Sequence, residues 1–373
     1  MIFSKSGFLF WLSSGPRHLK IAGIAILLSL ATAFPPLENL PFEPGFYDGQ
    51  IAHPFTPNTT ADPSSFMAKR SMRVTMPVIA HLLHLNASGA YLLELAMSYG
   101  LLLVIAVLLL RIFNDALTAL LGTSCFALSY VHQGMMSPFM IIWYDGYAFF
   151  FLGLSMLFRK SWLMLPFAIA ALFCDERAYL SLLFLLFWAI LDFSDTGWLE
   201  PKKTFMPILS IITALFIRVC LIRFFGLHTP LGNSAGVGPG LLFDGLEYLQ
   251  LSIISSLKAL MLLLAVSVYC LFKAKRYSLL LVFAGMVGLS LLSALLVRDL
   301  SRSVAYVFTA VFPALVIINR HLQKKDVTLL LKCSLLINFI IPTSGFISSY
   351  IYSVHSPWIR LYVFIKSRLQ ALI

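Results

Sequence analysis

The chain is poor in charge. Asp, Glu, Lys and Arg make up 12% of its 373 residues, about half the share usual in a soluble globular protein. Hydrophobic residues fill 60%, and the mean hydropathy is +0.89. These values exclude a soluble enzyme, a secreted disulfide scaffold and a disordered chain. Paired cysteines are missing too. Cys125, Cys174, Cys220, Cys270 and Cys333 stand singly, so neither a zinc site nor a redox motif is supported. Isolated cysteines in apolar runs act as small hydrophobes. There is no Walker loop, no HExxH, no GxSxG and no GxGxxG between a strand and a helix. The formal charge of +11 is not a nucleic-acid signature, because membrane proteins concentrate Lys and Arg in cytoplasmic loops.

What is present is a series of apolar runs, near 21–34, 91–110, 116–131, 138–158, 161–174, 178–193, 204–225, 246–272, 277–297, 303–319 and 328–352. At ~20 residues per span they predict an all-α polytopic integral membrane protein with about eleven transmembrane helices. Residues 1–373 read as a single transmembrane domain. The runs 161–174 and 178–193 are short, and fit a re-entrant pair or thin, tilted helices. The first run follows Lys5, Arg17, His18 and Lys20 and ends at Phe34-Pro35-Pro36 with no small-residue cleavage site, so it reads as an uncleaved span. Between the spans lie a first outer loop at 35–90 with an amphipathic segment near Val74 to Leu85, and a second at 226–245. An interfacial segment closes the chain at 358–373.

With the N-terminus in the cytoplasm, the inner segments hold Arg111, Arg159, Lys160, Lys202, Lys203, Lys273, Lys275, Arg276, Arg320, Lys324 and Lys325 besides the N-terminal cations. The outer segments hold fewer, mostly beside acidic neighbours. This orientation follows the positive-inside rule and puts the N-terminus in the cytoplasm.

The same orientation gathers the unusual polar groups on one face. The first outer segment carries Glu43, Asp48 and Gln50, then Arg70 and Arg73. The junction of the two short runs reads Asp175-Glu176-Arg177. The loop at 226–245 contains His228 and a Gly-rich GVGPG stretch that reads as a flexible loop. The next junction reads Arg298-Asp299-Leu300-Ser301-Arg302. Asp145, in Trp143-Tyr144-Asp145-Gly146, is placed about two turns into its span from this face. Each group has a bland reading as well. Asp48 beside Gly49 suits a turn, Asp175-Glu176-Arg177 a polar hairpin tip, Arg298-Asp299 with Arg302 headgroup anchors or internal ion pairs, and Asp145 a pair with a neighbouring helix. Their coincidence on one face is the informative feature. Arginine clusters suit phosphate, because the guanidinium is a planar fork of donors. A carboxylate beside them suits general-base chemistry.

These residues resemble the GT-C class of membrane glycosyltransferases, in particular bacterial members with a first outer loop of the type DGQ, then RxxR, then a proline opening an amphipathic segment. Here the pattern is Asp48-Gly49-Gln50, Arg70, Arg73 and Pro77, with a later DxxR and downstream proline at Asp299, Arg302 and Pro313. The resemblance implies a polyprenyl-phosphate-linked sugar donor, an envelope glycan or lipid acceptor, and a site at the non-cytoplasmic face of a bacterial inner membrane, toward the periplasm or exterior. It makes Asp48 the catalytic carboxylate, with the role of base, and Arg70, Arg73, Asp175, Glu176, Arg298, Asp299 and Arg302 the substrate-binding set. Glu43, Gln50, Asp145 and His228 are secondary candidates. The chain departs from the paired acidic motif of many GT-C enzymes, with Glu43 five residues before Asp48. A divalent cation, Mg²⁺ or Mn²⁺, is therefore left open as cofactor. Two other functions fit the same composition. One is a transporter or flippase for a lipid-linked or anionic solute, using Asp145, Lys258 and Arg218 inside the membrane. The other is a non-catalytic partner in envelope polysaccharide assembly.

Overall fold

A computed structural model describes residues 11–12, 14–33, 44–57, 70–134, 144–197, 201–227, 236–347 and 350–353. Within them the chain is helical throughout, apart from one small hairpin. Four helices are long and apolar enough to cross a membrane: Ala87–Phe113, Thr204–Phe225, Tyr277–Ala294 and Leu300–His321. A fifth crossing exists if the pair Gly245–Leu257 and Leu260–Lys273, bent by 94°, counts as one. Ala116–Ala127, Asp145–Leu157 and Ala178–Ser194 are apolar but shorter. The described helices thus support fewer full crossings than the apolar runs predict.

Local chemistry explains where the helices start and stop. Asn86 caps the Ala87–Phe113 helix by accepting the Gly89 N–H at 2.9 Å. Asn114, left-handed at φ 50, ends it. Asp115 opens the next helix by accepting the Thr118 N–H at 2.9 Å. Short Asn and Asp side chains satisfy the orphan N–H groups of a first turn, and Asn tolerates the left-handed C-terminal position. Of the run 138–158, residues 138–143 lie outside the described residues; the helix Asp145–Leu157 follows Tyr144, which is left-handed at φ 62. Two predicted spans differ from the structure. The run 246–272 breaks at Lys258, which has φ 48. The run 328–352 is helical to Ile340 only, and an antiparallel hairpin then pairs Ser344–Ile347 with Tyr350–Ser353. Residues 358–373 lie outside the described residues, and the expected amphipathic segment forms the helix Thr75–Leu82.

The Leu300–His321 helix is the centre of the packing, 94% buried over its most apolar window. Phe312 stacks between Phe126 and Trp188, with ring centroids at 5.3 and 6.5 Å. Phe149 meets Tyr306 at 4.8 Å. Offset and edge-on aromatic pairs of this kind add to area burial. The Thr204–Phe225 and Tyr277–Ala294 helices are the outer wall, only 28% and 22% buried. Their exposed Phe216, Phe224 and Leu281 make an apolar surface far larger than a water-soluble monomer carries, the surface that a bilayer would solvate.

Four helices run side by side in one direction: Ala87–Phe113, Asp145–Leu157, Ala178–Thr196 and Leu300–His321. Their N-terminal ends carry Asp145, Arg177 and Asp299 with Arg302, and their C-terminal ends carry Arg111, Asp192 and Arg320. The two ends of this bundle are the two sites considered below.

Candidate functional site

At the N-terminal end of the bundle, segments far apart in sequence meet in one buried ion-pair network. Asp175 is its hub. It pairs with Arg177 at 2.6 Å, with Arg73 at 2.9 Å and with Arg302 at 3.7 Å. Asp145 receives the Arg302 Nε and lies 3.4 Å from Arg177. Tyr306 donates its hydroxyl to Asp145 at 2.8 Å. Asp299 holds the other branch of Arg302 at 2.6 Å. Glu176 grips Arg73 more loosely, at 3.3 Å, and is the most open member, with its side chain 28% exposed. Asp145, Asp175 and Arg302 are essentially sealed from solvent.

Neighbouring backbone and side chains position this set. The Thr75 N–H donates to the Phe173 carbonyl at 3.2 Å and the Thr75 hydroxyl to the Ala170 carbonyl at 2.8 Å, which locks the Arg73 segment against the chain entering Asp175. Arg177 donates its own N–H back to Asp175 at 2.9 Å and its guanidinium to Ser303 at 3.2 Å. The same guanidinium lies 5.1 Å from the Tyr306 ring centroid, within cation–π range. Asp145 and Asp299 sit at helix N-termini, where the backbone dipole favours negative charge. Buried charges are tolerated only when paired in this way.

The electrostatics follow from the pairing. Burial alone would raise the Asp175 carboxyl, but Arg177, Arg73 and Arg302 outweigh it and hold the group well below the usual carboxylate range. Burial opposes the charge on Arg73, yet Asp175 and Glu176 overcome it and raise that guanidinium. Arg70 differs. Burial lowers it, with Tyr47 and Tyr144 only partly compensating. Its Nη1 donates to the Tyr47 hydroxyl at 2.9 Å, and its carbonyl accepts from Gln50 at 3.1 Å. Gln50 also accepts the Tyr144 hydroxyl at 2.7 Å, one residue from Asp145. With Arg70 counted, the formal charges of Arg70, Arg73, Arg177 and Arg302 balance those of Asp145, Asp175, Glu176 and Asp299.

Arg70, Arg73, Asp175, Glu176, Asp299, Arg302, Gln50 and Asp145 therefore come together. Asp145 is a centre of the network rather than a residue two turns inside a span, because its helix begins at that position. Asp48 stands apart. It is exposed on the Pro44–Ala52 helix, and its Oδ1 accepts the Ala87 N–H at 2.7 Å. Arg298 is exposed, and its N–H donates to the Gly236 carbonyl at 3.0 Å. Gly238 returns an N–H to Leu296 at 2.9 Å, so the described part of the Gly-rich stretch is pinned to that junction by a backbone bridge. Glu43 and His228 lie outside the described residues.

Glu94 is a neighbour of the network that the sequence reading passed over. It lies 2% exposed within the Ala87–Phe113 helix. Its Oε1 accepts the Gly146 N–H at 3.0 Å, while Oε2 has no hydrogen-bond partner among the described residues. A carboxylate inside an apolar run is itself a functional signal, and this one abuts the Asp145 turn. Among the described residues no group of three or more His, Cys, Asp or Glu has a geometry that holds a metal ion. The network carboxylates face arginines, so this donor set does not fit Mg²⁺ or Mn²⁺.

Apolar crossing helices around a sealed, charge-balanced network at one end of the bundle define a helical membrane protein. No protein-family model, curated protein or solved structure matches the chain.

Proposed function

We propose that the protein is a membrane glycosyltransferase that moves a sugar from a polyprenyl-phosphate donor to an envelope glycan or lipid acceptor at the non-cytoplasmic face of a bacterial inner membrane. One observation carries this reading: the arginines and carboxylates of separate polar junctions, Arg73, Asp145, Asp175 to Arg177 and Asp299 to Arg302, converge on a single site. Packing alone gives little reason for such convergence, since buried ion pairs add little net stability.

The chemistry proposed uses the loosest link. The donor phosphate takes Arg73 by displacing Glu176, the most exposed carboxylate of the set. Arg73 is thereby the cation that bears the charge on the leaving phosphate. The bond from the sugar carbon to the phosphate oxygen breaks, with its electron pair leaving on the phosphate. The acceptor hydroxyl forms the new bond, and its proton passes to a carboxylate. The resemblance gives that role to Asp48, which stands apart from the network, faces solvent and accepts the Ala87 N–H at one carboxylate oxygen, Oδ1. A single base implies inversion at the sugar carbon. Asp48→Asn keeps an oxygen for the Ala87 N–H and removes the base. Loss of transfer from a polyprenyl-phosphate sugar in a correctly folded Asp48→Asn protein is the expected result. Full transfer in that variant would remove Asp48 from the chemistry.

A transporter remains the second reading, favoured by one observation. Lys258 is buried at the 94° break between two apolar helices, and its ammonium donates to the Leu128 and Asn338 carbonyls at 2.6 and 3.2 Å. Broken helices with such groups at the break are a common transporter device. Solute flux lost in Lys258→Met, with transfer intact, would favour it.

A further inference from the structure

The opposite end of the four-helix bundle holds a second site. A half-open hollow of about 580 Å³ lies among the helix C-termini, lined by Arg111, Arg159, Lys160, Arg320, Trp188 and Asp192 together with aliphatic side chains such as Leu108 and Val316. Its charges are not balanced. Asp192 pairs with Arg159 at 2.8 Å and with Arg320 at 3.6 Å. Among the described residues no carboxylate pairs with Arg111 or Lys160, and both are exposed at the hollow. The Arg159 guanidinium lies over the Trp188 ring, 4.1 Å from its centroid. Arg111 donates to the Leu157 carbonyl at 3.2 Å, which accounts for one of its five N–H groups as a helix C-terminal contact.

We propose that this hollow binds the phosphodiester headgroup of an anionic membrane lipid, with the aliphatic wall receiving the start of an acyl chain. Three features support a lipid rather than a water-soluble phosphate. The cations share the hollow with Leu108, Met156, Leu157 and Val316. The hollow sits at the C-terminal ends of Ala87–Phe113 and Leu300–His321, two helices long and apolar enough to cross a membrane, and the end of a crossing helix meets the headgroups. Basic pockets between crossing helices on the cytoplasmic side suit anionic headgroups, and this is the end that the positive-inside rule turns to the cytoplasm. Arg111 and Lys160 supply the charge that no described carboxylate pairs, while Arg159 is held by Trp188 and Asp192. The site is independent of the transferase reading, lying at the far end of the same helices.

The test uses the full-length purified protein in a neutral detergent, with native mass spectrometry as readout and phosphatidylglycerol, phosphatidylcholine and glycerol phosphate as probes. The expected result is retention of phosphatidylglycerol over phosphatidylcholine, no retention of glycerol phosphate, and at least a tenfold loss of phosphatidylglycerol binding in Arg111→Gln/Lys160→Gln. Lys273→Gln, which removes a cation outside the hollow, should bind as the parent does. Both replaced side chains are exposed, so the double variant should fold, and its unfolding temperature checks this. Equal retention of the two lipids would overturn the proposal. So would undiminished binding by the double variant, or an equal loss in Lys273→Gln, because either result would mean diffuse attraction rather than a site. Retention of glycerol phosphate at the lipid's level would overturn the lipid as ligand.

Discussion

Arg302 and Asp145, 157 positions apart in sequence, form an ion pair in which both side chains are only 1% exposed. Asp299 and Tyr306 complete it, one on each partner. Removing one member of a sealed pair strands the other charge, at a cost of about 3–5 kcal/mol. Arg302→Gln should therefore lower the unfolding temperature in detergent sharply. Replacing both partners with apolar groups removes the stranded charge, so Arg302→Met/Asp145→Leu should recover part of that loss. A double variant as unstable as the single one would show that Asp145 is satisfied by Arg177 and Tyr306 without Arg302.

The network also sets an acid limit. Asp175 titrates below its unfolded value of about 3.9, because Arg177, Arg73 and Arg302 outweigh the opposing effect of burial. A depressed carboxylate contributes stability that is complete above the unfolded pKa and is lost as pH falls through the folded one. Stability should thus show no Asp175 contribution to its slope between about pH 5 and 8, then fall below about pH 4. Asp175→Asn should start less stable and lose less on acidification. Thermal unfolding of both proteins across that range gives the comparison. Parallel curves would mean that Asp175 does not carry the acid loss.

The glycine beside Asp145 gives a sharper packing test. A Cβ added at Gly146 would fall 2.6 Å from Glu94 Cγ, near the root of a buried side chain. At Gly122 the nearest atom, also at 2.6 Å, is the tip of the Leu109 side chain. A tip can turn aside, but Glu94 is held by the very N–H of the residue replaced. Overpacking of this kind costs about 1–3 kcal/mol. Gly146→Ala should therefore lower the unfolding temperature more than Gly122→Ala does. The reverse order would show that Glu94 moves freely, and that its bond to Gly146 positions little.

Much of this arrangement was legible in the sequence, and the reasons are physical. Apolar runs mark buried or lipid-facing helices, so most helices fall where the runs do. Basic residues at the ends of runs, such as Arg111 and Arg320, sit at helix C-termini as the dipole favours. The polar junctions named the network members because charge at a membrane boundary needs partners. The partners themselves were not legible. Nothing local links Arg73 to Asp175, about a hundred positions on, or Asn338 to Ala259. The break inside the run 246–272 leaves no sequence signal, because the residue that takes the unusual backbone conformation, Lys258, is not a glycine. Glu94 was hidden by counting its run as a span, although a single carboxylate among aliphatic residues was the available signal. Asp48 was given its role by resemblance, and the structure adds a contact with a helix N-terminus that no motif predicts.

Asn338 is the support on which the Lys258 break depends. Its side-chain oxygen accepts the Ala259 N–H at 2.7 Å, and its amide donates to the Cys125 carbonyl at 2.7 Å. Its own carbonyl accepts from Lys258. At a break in a helix the freed backbone groups need such substitutes, since the bilayer interior supplies none. Asn338→Leu leaves the Ala259 N–H and the Cys125 carbonyl without this partner while keeping the backbone carbonyl that Lys258 uses. Each stranded buried group costs about 1–3 kcal/mol. Lys258→Gly relieves the positive φ yet removes the ammonium bond to Leu128. If the break is held by Asn338, Asn338→Leu should destabilise the protein more than Lys258→Gly. It should also speed hydrogen exchange at Ala259, which hydrogen-exchange mass spectrometry reads directly. Unchanged exchange at Ala259 would mean that the bend is imposed by packing, with Lys258 free to serve another purpose.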